Sequence, residues 1–256
     1  MYDFLHEYTN KYYFLSDILQ SMYKLKNYLL SMQSNWMINH STYKAVQKSL
    51  PIIQEFKMNQ GQEDMAKTPV HKVVKKIYPE IYRVPLFRRH FCTLLLKEIK
   101  HMEKEIGFAN NSEEDTLRQI PEIVLREHVP ELYRSMWFVV QTALNPIFNA
   151  IWQRDCRDPS SIQIANYNVK DKKQGAWHHD ASSDVSIVVP LNTGDYKGGG
   201  TEFLNRGIVE PLPTGSGLIF PSYTHMHRGL AVEEGDRYLL VFWLNSEEES
   251  INSKEN

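Results

Sequence analysis

The sequence predicts an α+β fold in which helices flank an antiparallel sheet rolled into a double-stranded β-helix, with a helical N-terminal extension in front of it. Three observations lead there. Beyond Ser161 the apolar period is two, and the segments SIQIANYNV, GAWHHD, VSIVVPLN, GTEFL, GIVEP, GLIFP, MHRGL and RYLLVFWL are separated only by turn-forming residues. Many short strands without intervening helices build a sandwich or barrel. Upstream of Ser161 the apolar residues recur at helical spacing instead, so the helices are segregated from the strands. Finally, His178, Asp180 and a later histidine pair stand near the ends of segments that would share one interior, which narrows the sandwich to a jelly roll of the cupin-like kind.

The totals are compatible with one catalytic-sized domain plus an extension. At 256 residues, 42% of them hydrophobic, the chain can bury a full core. A net charge of -2 and a pI near 6.6 supply no global field for nucleic acid or anionic lipid. The two cysteines, Cys92 and Cys156, form no Cys-x-x-Cys pair, and both are expected as small buried hydrophobes in a reducing compartment. Asp3, Glu7 and Asp17 interrupt the N-terminal apolar residues, and no long uncharged run follows. No secretory leader and no membrane span are therefore predicted, and the expected location is cytoplasmic.

Taken in order, Phe14, Ile18, Met22, Leu25 and Leu29 mark an amphipathic helix near residues 10 to 32. A weaker helix over Thr42 to Ser49 meets Pro51, which is expected to kink or end it. KMNQGQEDMAKTP, residues 57 to 69, reads as a linker, and Lys67, Lys72, Lys75 and Lys76 as a solvated charged face, since no aromatic platform interleaves with them. Residues 1–75 are thus a helical extension and linker. The β-rich domain spans 76–245, and SEEESINSKEN, from residue 246 to 256, is expected as a disordered tail.

Within the domain, IYRVPLF at residues 81 to 87 is short, β-branched and aromatic, and is predicted as its first strand. Phe91, Leu95, Ile99, Met102 and Ile106 mark a helix that Gly107 would cap in a left-handed conformation. ANNSEEDTLRQ, residues 109 to 119, is a polar loop. Pro130 opens a further helix running to about Trp152, with a kink at Pro146, and both helices are expected on the outside of the sheet. DPSS, residues 158 to 161, is read as the turn into the strands.

The chemistry concentrates between Trp177 and Leu244. If HHD lies on a strand, His178 and Asp180 point to one face, because alternate side chains of a strand do. A third ligand is open between His225 and His227, which share a face by the same rule. Two imidazoles and one carboxylate on one side of a metal, with the other side free, suit a non-haem Fe(II) oxygenase. Arg237 follows His227 by ten positions, and its fork of donors fits a carboxylate better than a lysine would. A lone His-x-Asp is weak; the ordered set of His-x-Asp, glycine-rich turn, His and Arg is much more specific.

That set resembles the Fe(II)/2-oxoglutarate dioxygenases, and within them the catalytic domain of the procollagen-lysine and prolyl hydroxylases. The resemblance runs from about Tyr82 to Leu244 and is carried by Tyr167, His178-His179-Asp180-Ala181-Ser182, Leu191-Asn192, Tyr196-Lys197-Gly198-Gly199-Gly200 and Thr224-His225-Met226-His227. It implies that His178, Asp180 and His227 ligate Fe(II), with Arg237 on the far carboxylate of 2-oxoglutarate and Tyr167 helping to hold that co-substrate. It further implies O2 as oxidant, ascorbate as reductant, and hydroxylation of a lysine or proline side chain in a peptide, with 2-oxoglutarate converted to succinate and CO2. His225 is then expected beside the site or facing substrate, and His179 on the opposite face as a structural histidine. Between Asp180 and Leu191 this chain carries one residue more than the lysyl hydroxylase pattern, with Asp184 in the altered segment beside the expected substrate mouth. The competing functions are the same chemistry on nucleic acid or a small metabolite, and a metal-binding jelly roll without turnover. The anchor at Arg237 weighs against the last, since a bare metal module has no need of it.

Overall fold

The computed structural model describes residues 36–59, 65–108, 120–170 and 173–246. The helix expected near residues 10 to 32, the loop at 109 to 119 and the tail beyond Ser246 lie outside them. The order is helix α1 (His40–Asn59), a β1–β2 hairpin (Lys75–Tyr78, Ile81–Pro85), α2 (Arg89–Glu105), β3 (Glu122–Val124), α3 (Leu125–His128), α4 (Pro130–Val139) and α5 (Asn145–Trp152). Nine strands follow: β4 (Cys156–Asn168), β5 (Val185–Pro190), β6 (Lys197–Gly198), β7 (Thr201–Phe203), β8 (Gly207–Val209), β9 (Ser216–Pro221), β10 (His227–Gly229), β11 (Val232–Glu234) and β12 (Asp236–Ser246). They form a seven-stranded antiparallel sheet, β1-β2-β9-β5-β12-β4-β3, with smaller sheets β10-β7-β8 and β11-β6. This is the predicted jelly roll with flanking helices.

The large sheet is buried on both faces, and a period of two sorts its side chains. In β12, Tyr238, Leu240, Phe242 and Leu244 enter the core that also holds Phe91, Leu95, Met136 and Phe148 from the helices. Their alternates Arg237, Leu239, Val241 and Trp243 line a cavity on the other face. The register of β12 on β4 sets Arg237 opposite Tyr167, so both land on the cavity side. Because β5 stops at Pro190 while β12 starts at Asp236, the pairing near Arg237 needs another partner. Asn192 supplies it: its side-chain amide donates to the Asp236 carbonyl (2.8 Å) and accepts from the Tyr238 N–H (3.0 Å), bracing the backbone on either side of Arg237.

Several local expectations give way to tertiary packing. Pro51 does not end α1, which runs on to Asn59 because Ala45, Val46, Ser49 and Ile53 are buried as one stripe across it. The lost backbone hydrogen bond is outweighed by that shared packing. Part of the presumed linker is built in: Met65 and Val70 are buried in the main core within two 3-10 turns, Met65–Lys67 and Pro69–Lys72. The strand at Ile81 is preceded by β1, whose Lys75 and Lys76 are exposed at the sheet edge, where lysines hinder edge-to-edge pairing. DPSS is strand rather than turn, because β4 continues through it by a bulge opposite Trp243 and Leu244. Pro146 is accommodated by a π turn, Val140–Leu144, that separates α4 from α5. Gly107 takes the expected left-handed conformation, φ 76°, at the end of α2.

Candidate metal centre and co-substrate pocket

His178 and His227 meet across a single two-way bridge, His178 N–H to the His227 carbonyl (3.0 Å) and His227 N–H to the His178 carbonyl (2.9 Å). GAWHHD is otherwise irregular rather than a strand, so this pairing, not strand alternation, brings the two rings to 4.4 Å between centroids. Asp180 lies on the turn that follows, with Oδ1 at 3.4 Å from His178 Nε2 and Oδ2 at 3.7 Å from His227 Nε2. Among the described residues these three form the one group of His, Cys, Asp or Glu whose ligand atoms all lie within 4.8 Å of one another.

Both imidazoles are held in the tautomer that metal binding requires. His178 Nδ1 faces the Ala176 carbonyl at 2.9 Å and His227 Nδ1 the His225 carbonyl at 2.9 Å. A carbonyl only accepts, so each Nδ1 carries the proton and each Nε2 presents a lone pair. His227 is wedged against Phe203 and edge-on to Phe220, which fixes its plane. Burial pushes the His227 pKa down to about 4, with Asp180 only partly offsetting it. Burial alone would raise the Asp180 carboxyl, but His178, His227 and the Ser186 hydroxyl hold it below its ordinary value.

These two directions make the metal-free protein acid-sensitive. His227 titrates near 6.5 when unfolded and near 4 when folded, so between those values the unfolded chain binds more protons and stability falls with pH. The expected result is a urea midpoint that drops as the pH goes from about 6.5 toward 4, and a shallower drop in His227→Phe.

Arg237 lies in the wall of the same cavity, 4% exposed, with Nε and Nη1 both lacking a hydrogen-bond partner. Its guanidinium stands 5.2 Å from the centre of the Tyr167 ring. Buried cations are ordinarily paired, so donors left open here fit an anionic ligand that enters the cavity. Burial raises the Tyr167 phenol, Arg237 draws it back and Asp180 raises it further, leaving a protonated hydroxyl able to donate at neutral pH. The cavity measures about 540 Å³, within the range of small-molecule sites. The donor set of His178, Asp180 and His227 fits a metal ion such as Fe(II), and the open Arg237 guanidinium beside Tyr167 fits an anion.

Close backbone approach shapes this wall. A Cβ on Gly229 would lie 2.6 Å from the Tyr167 hydroxyl oxygen and 2.8 Å from its ring. Gly229→Ala is therefore expected to displace Tyr167 and destabilise the protein by about 1–3 kcal/mol, read from urea melts. Pairing it with Tyr167→Phe should recover part of that loss.

His225 is buried, bonds Thr224 Oγ1 through Nδ1 at 2.9 Å and packs edge-on to Phe203, outside the ligand group. His179 is not packed on an opposite face; it is exposed and borders the cavity, because the chain turns immediately after it. Asp184 is half-buried away from the mouth, where its Oδ2 accepts from Ser246 N (2.7 Å) and Ser246 Oγ (2.5 Å) and so ties down the end of β12. Ser186 carries no signature in the sequence, whereas Asn192 carries one. Leu191-Asn192 was the one available signal, since it belongs to the hydroxylase pattern.

No family model matches the chain. It is 26% identical over 186 residues to a multifunctional procollagen lysine hydroxylase and glycosyltransferase of Caenorhabditis elegans, covering 69% of this chain and 25% of the relative. It is 23% identical over 189 residues to human procollagen-lysine,2-oxoglutarate 5-dioxygenase 2, covering 71% of this chain and 26% of the relative. The chain therefore spans about a quarter of the length of these curated relatives. Among solved structures, a prolyl hydroxylase in complex with a hypoxia inducible factor peptide from Trichoplax adhaerens matches with a TM-score of 0.53 at 14% identity, covering 83% of this chain and 95% of that one. The carbocyclase SnoK, described as non-haem and alpha-ketoglutarate dependent, matches with a TM-score of 0.52 at 13% identity, covering 65% and 79%.

The fold is that of the 2-oxoglutarate–Fe(II) oxygenases. The sequence resembles the procollagen-lysine hydroxylases.

Proposed function

We propose that this chain is an Fe(II)- and 2-oxoglutarate-dependent dioxygenase that hydroxylates an unactivated C–H bond of a lysine or proline side chain in a peptide. The observation that carries the reading is the buried Arg237 guanidinium, with two open donors, in the cavity that the His178–Asp180–His227 group enters. A metal module without turnover would leave that desolvated cation unexplained. The relatives' printed names describe lysine hydroxylation and a 2-oxoglutarate 5-dioxygenase, which supports the same chemistry here.

In this reading His178, Asp180 and His227 hold the metal on one side, and the bound iron with its co-substrate supplies oxidative decarboxylation coupled to oxygen insertion. Arg237 takes the far carboxylate through its fork, Tyr167 donates its hydroxyl beside it, and Asn192 keeps the Arg237 backbone in place. Leu239, Val241 and Val188 give the cavity an apolar wall that excludes water from the reacting end. Trp243, Glu122 and His179 border the cavity where a peptide side chain would enter. Ascorbate would serve as the reductant.

The location is proposed as cytoplasmic; among the described residues no helix is long and apolar enough to cross a membrane. The functional test is incubation with iron, 2-oxoglutarate, ascorbate and a library of lysine- and proline-bearing peptides, with mass spectrometry for a gain of one oxygen and a parallel assay for succinate. Peptide hydroxylation that disappears in His178→Ala supports the proposal. Succinate formation coupled only to a nucleic acid or a metabolite would contradict the peptide assignment.

A further inference from the structure

We propose that Ser186 is a positioning residue for the Asp180 carboxylate, and that the buried hydroxyl chain behind it sets the affinity of the site for a divalent cation. The inference rests on the metal-centre reading above. Ser186 is fully buried on β5 between Val185 and Ile187, whose side chains enter the helix-side core, so its own side chain points the other way, toward the ligand group. Its hydroxyl bonds Asp180 Oδ2. Behind it, Ser186 Oγ lies 2.7 Å from Ser222 Oγ, and Ser183 Oγ lies 2.9 Å from Ser222 Oγ.

Each hydroxyl has one proton to give, which orders the chain. An ionised carboxylate only accepts, so Ser186 spends its proton on Asp180. The Ser186 oxygen must then accept from Ser222, and the Ser222 oxygen from Ser183. All three O–H bonds run one way, toward Oδ2, and hydrogen bonds aligned in series polarise one another. Ser183 Oγ also lies 3.3 Å from the Asp180 carbonyl, a weaker alternative for its proton.

The backbone holds the donors in line. Ser183 N–H bonds the Asp180 carbonyl at 3.2 Å and Ser222 N–H the Asp184 carbonyl at 3.0 Å. Asp184, in the segment one residue longer than the lysyl hydroxylase pattern, grips Ser246 at the end of β12. The ends of β5, β9 and β12 are thereby tied together next to one metal ligand. With Oδ2 held by Ser186, the carboxylate is fixed in plane, its Oδ1 3.4 Å from His178 Nε2 and its Oδ2 3.7 Å from His227 Nε2.

The test is anaerobic calorimetric titration of the full chain with Mn(II), together with the melting midpoint of the metal-free protein. Ser186→Ala is expected to weaken Mn(II) roughly 10- to 100-fold, and Ser186→Thr, which keeps the hydroxyl, to stay within about threefold. Ser222→Ala leaves Ser186 in place but starves it of its donor, and should fall between them; it serves if Ser186→Ala does not fold. A serine that merely fills core space would lower the metal-free midpoint and leave the Mn(II) Kd unchanged, and that outcome overturns the proposal. Absence of Mn(II) binding to the wild type, or binding that survives in His178→Ala, would overturn the metal-centre reading and this inference with it.

Discussion

Replacing Arg237 by alanine is expected to raise the KM for 2-oxoglutarate by roughly 30- to 3000-fold, the equivalent of about 2–5 kcal/mol for truncating one partner of a buried charge pair. Fe(II) affinity should stay within about twofold, because the guanidinium contributes none of the ligand atoms. The size of the effect follows from burial: Arg237 is 4% exposed and its Nε and Nη1 have no hydrogen-bond partner among the described residues, so its removal would leave a desolvated carboxylate without its counter-charge. Arg237→Lys keeps the charge but loses the planar fork, and is expected to cost roughly tenfold. Steady-state kinetics at varied 2-oxoglutarate, with Fe(II) titrations alongside, separate the two constants. An unchanged KM in Arg237→Ala would remove the co-substrate assignment.

Replacing Asp180 by alanine should abolish stoichiometric Fe(II) binding and reduce succinate formation to the background of the assay. Asp180 brings the only negative charge in the ligand group, and it is buried. Without it, two imidazoles remain to hold a dication in a desolvated pocket, and the loss is expected at roughly a hundredfold or more in metal affinity. Asp180→Asn is the sharper variant because it keeps the shape while losing the charge. Retained tight binding in Asp180→Asn would mean that the carboxylate is not a ligand.

The fold was legible where the chain repeats one rule. The run RYLLVFWL announced β12 as a strand, yet not which face looked where, because a strand buried on both sides is apolar throughout. Only its register on β4 and β5 separates Arg237 and Leu239 from Tyr238 and Leu240. Local rules failed where long-range packing decided the outcome. Pro51 sits inside α1 and Pro159 inside β4, each overruled by a partner distant in sequence.

The site divides in the same way. His178, Asp180, His227, Arg237 and Tyr167 are singled out in the sequence by type, spacing and resemblance, and the fold brings all five to one cavity. The route differs from the one expected: a two-way backbone bridge joins His178 to His227, and Asp180 reaches them from a turn rather than from the same strand. Ser186 and Ser222 carried no local signature, since they meet only when the folded chain brings β5 beside the end of β9. Asp184 was misplaced for a related reason. Its position beside the predicted site suggested the mouth, whereas its side chain is drawn to the end of β12.

One cavity is proposed to hold a divalent metal on three side chains and a dicarboxylate on Arg237. A crystal structure grown anaerobically with Mn(II) and 2-oxoglutarate tests it most directly. The expected result is anomalous density bounded by His178 Nε2, His227 Nε2 and the Asp180 carboxylate, with one co-substrate carboxylate against the Arg237 guanidinium and the Tyr167 hydroxyl. Metal bound elsewhere, or 2-oxoglutarate held without Arg237, would contradict it.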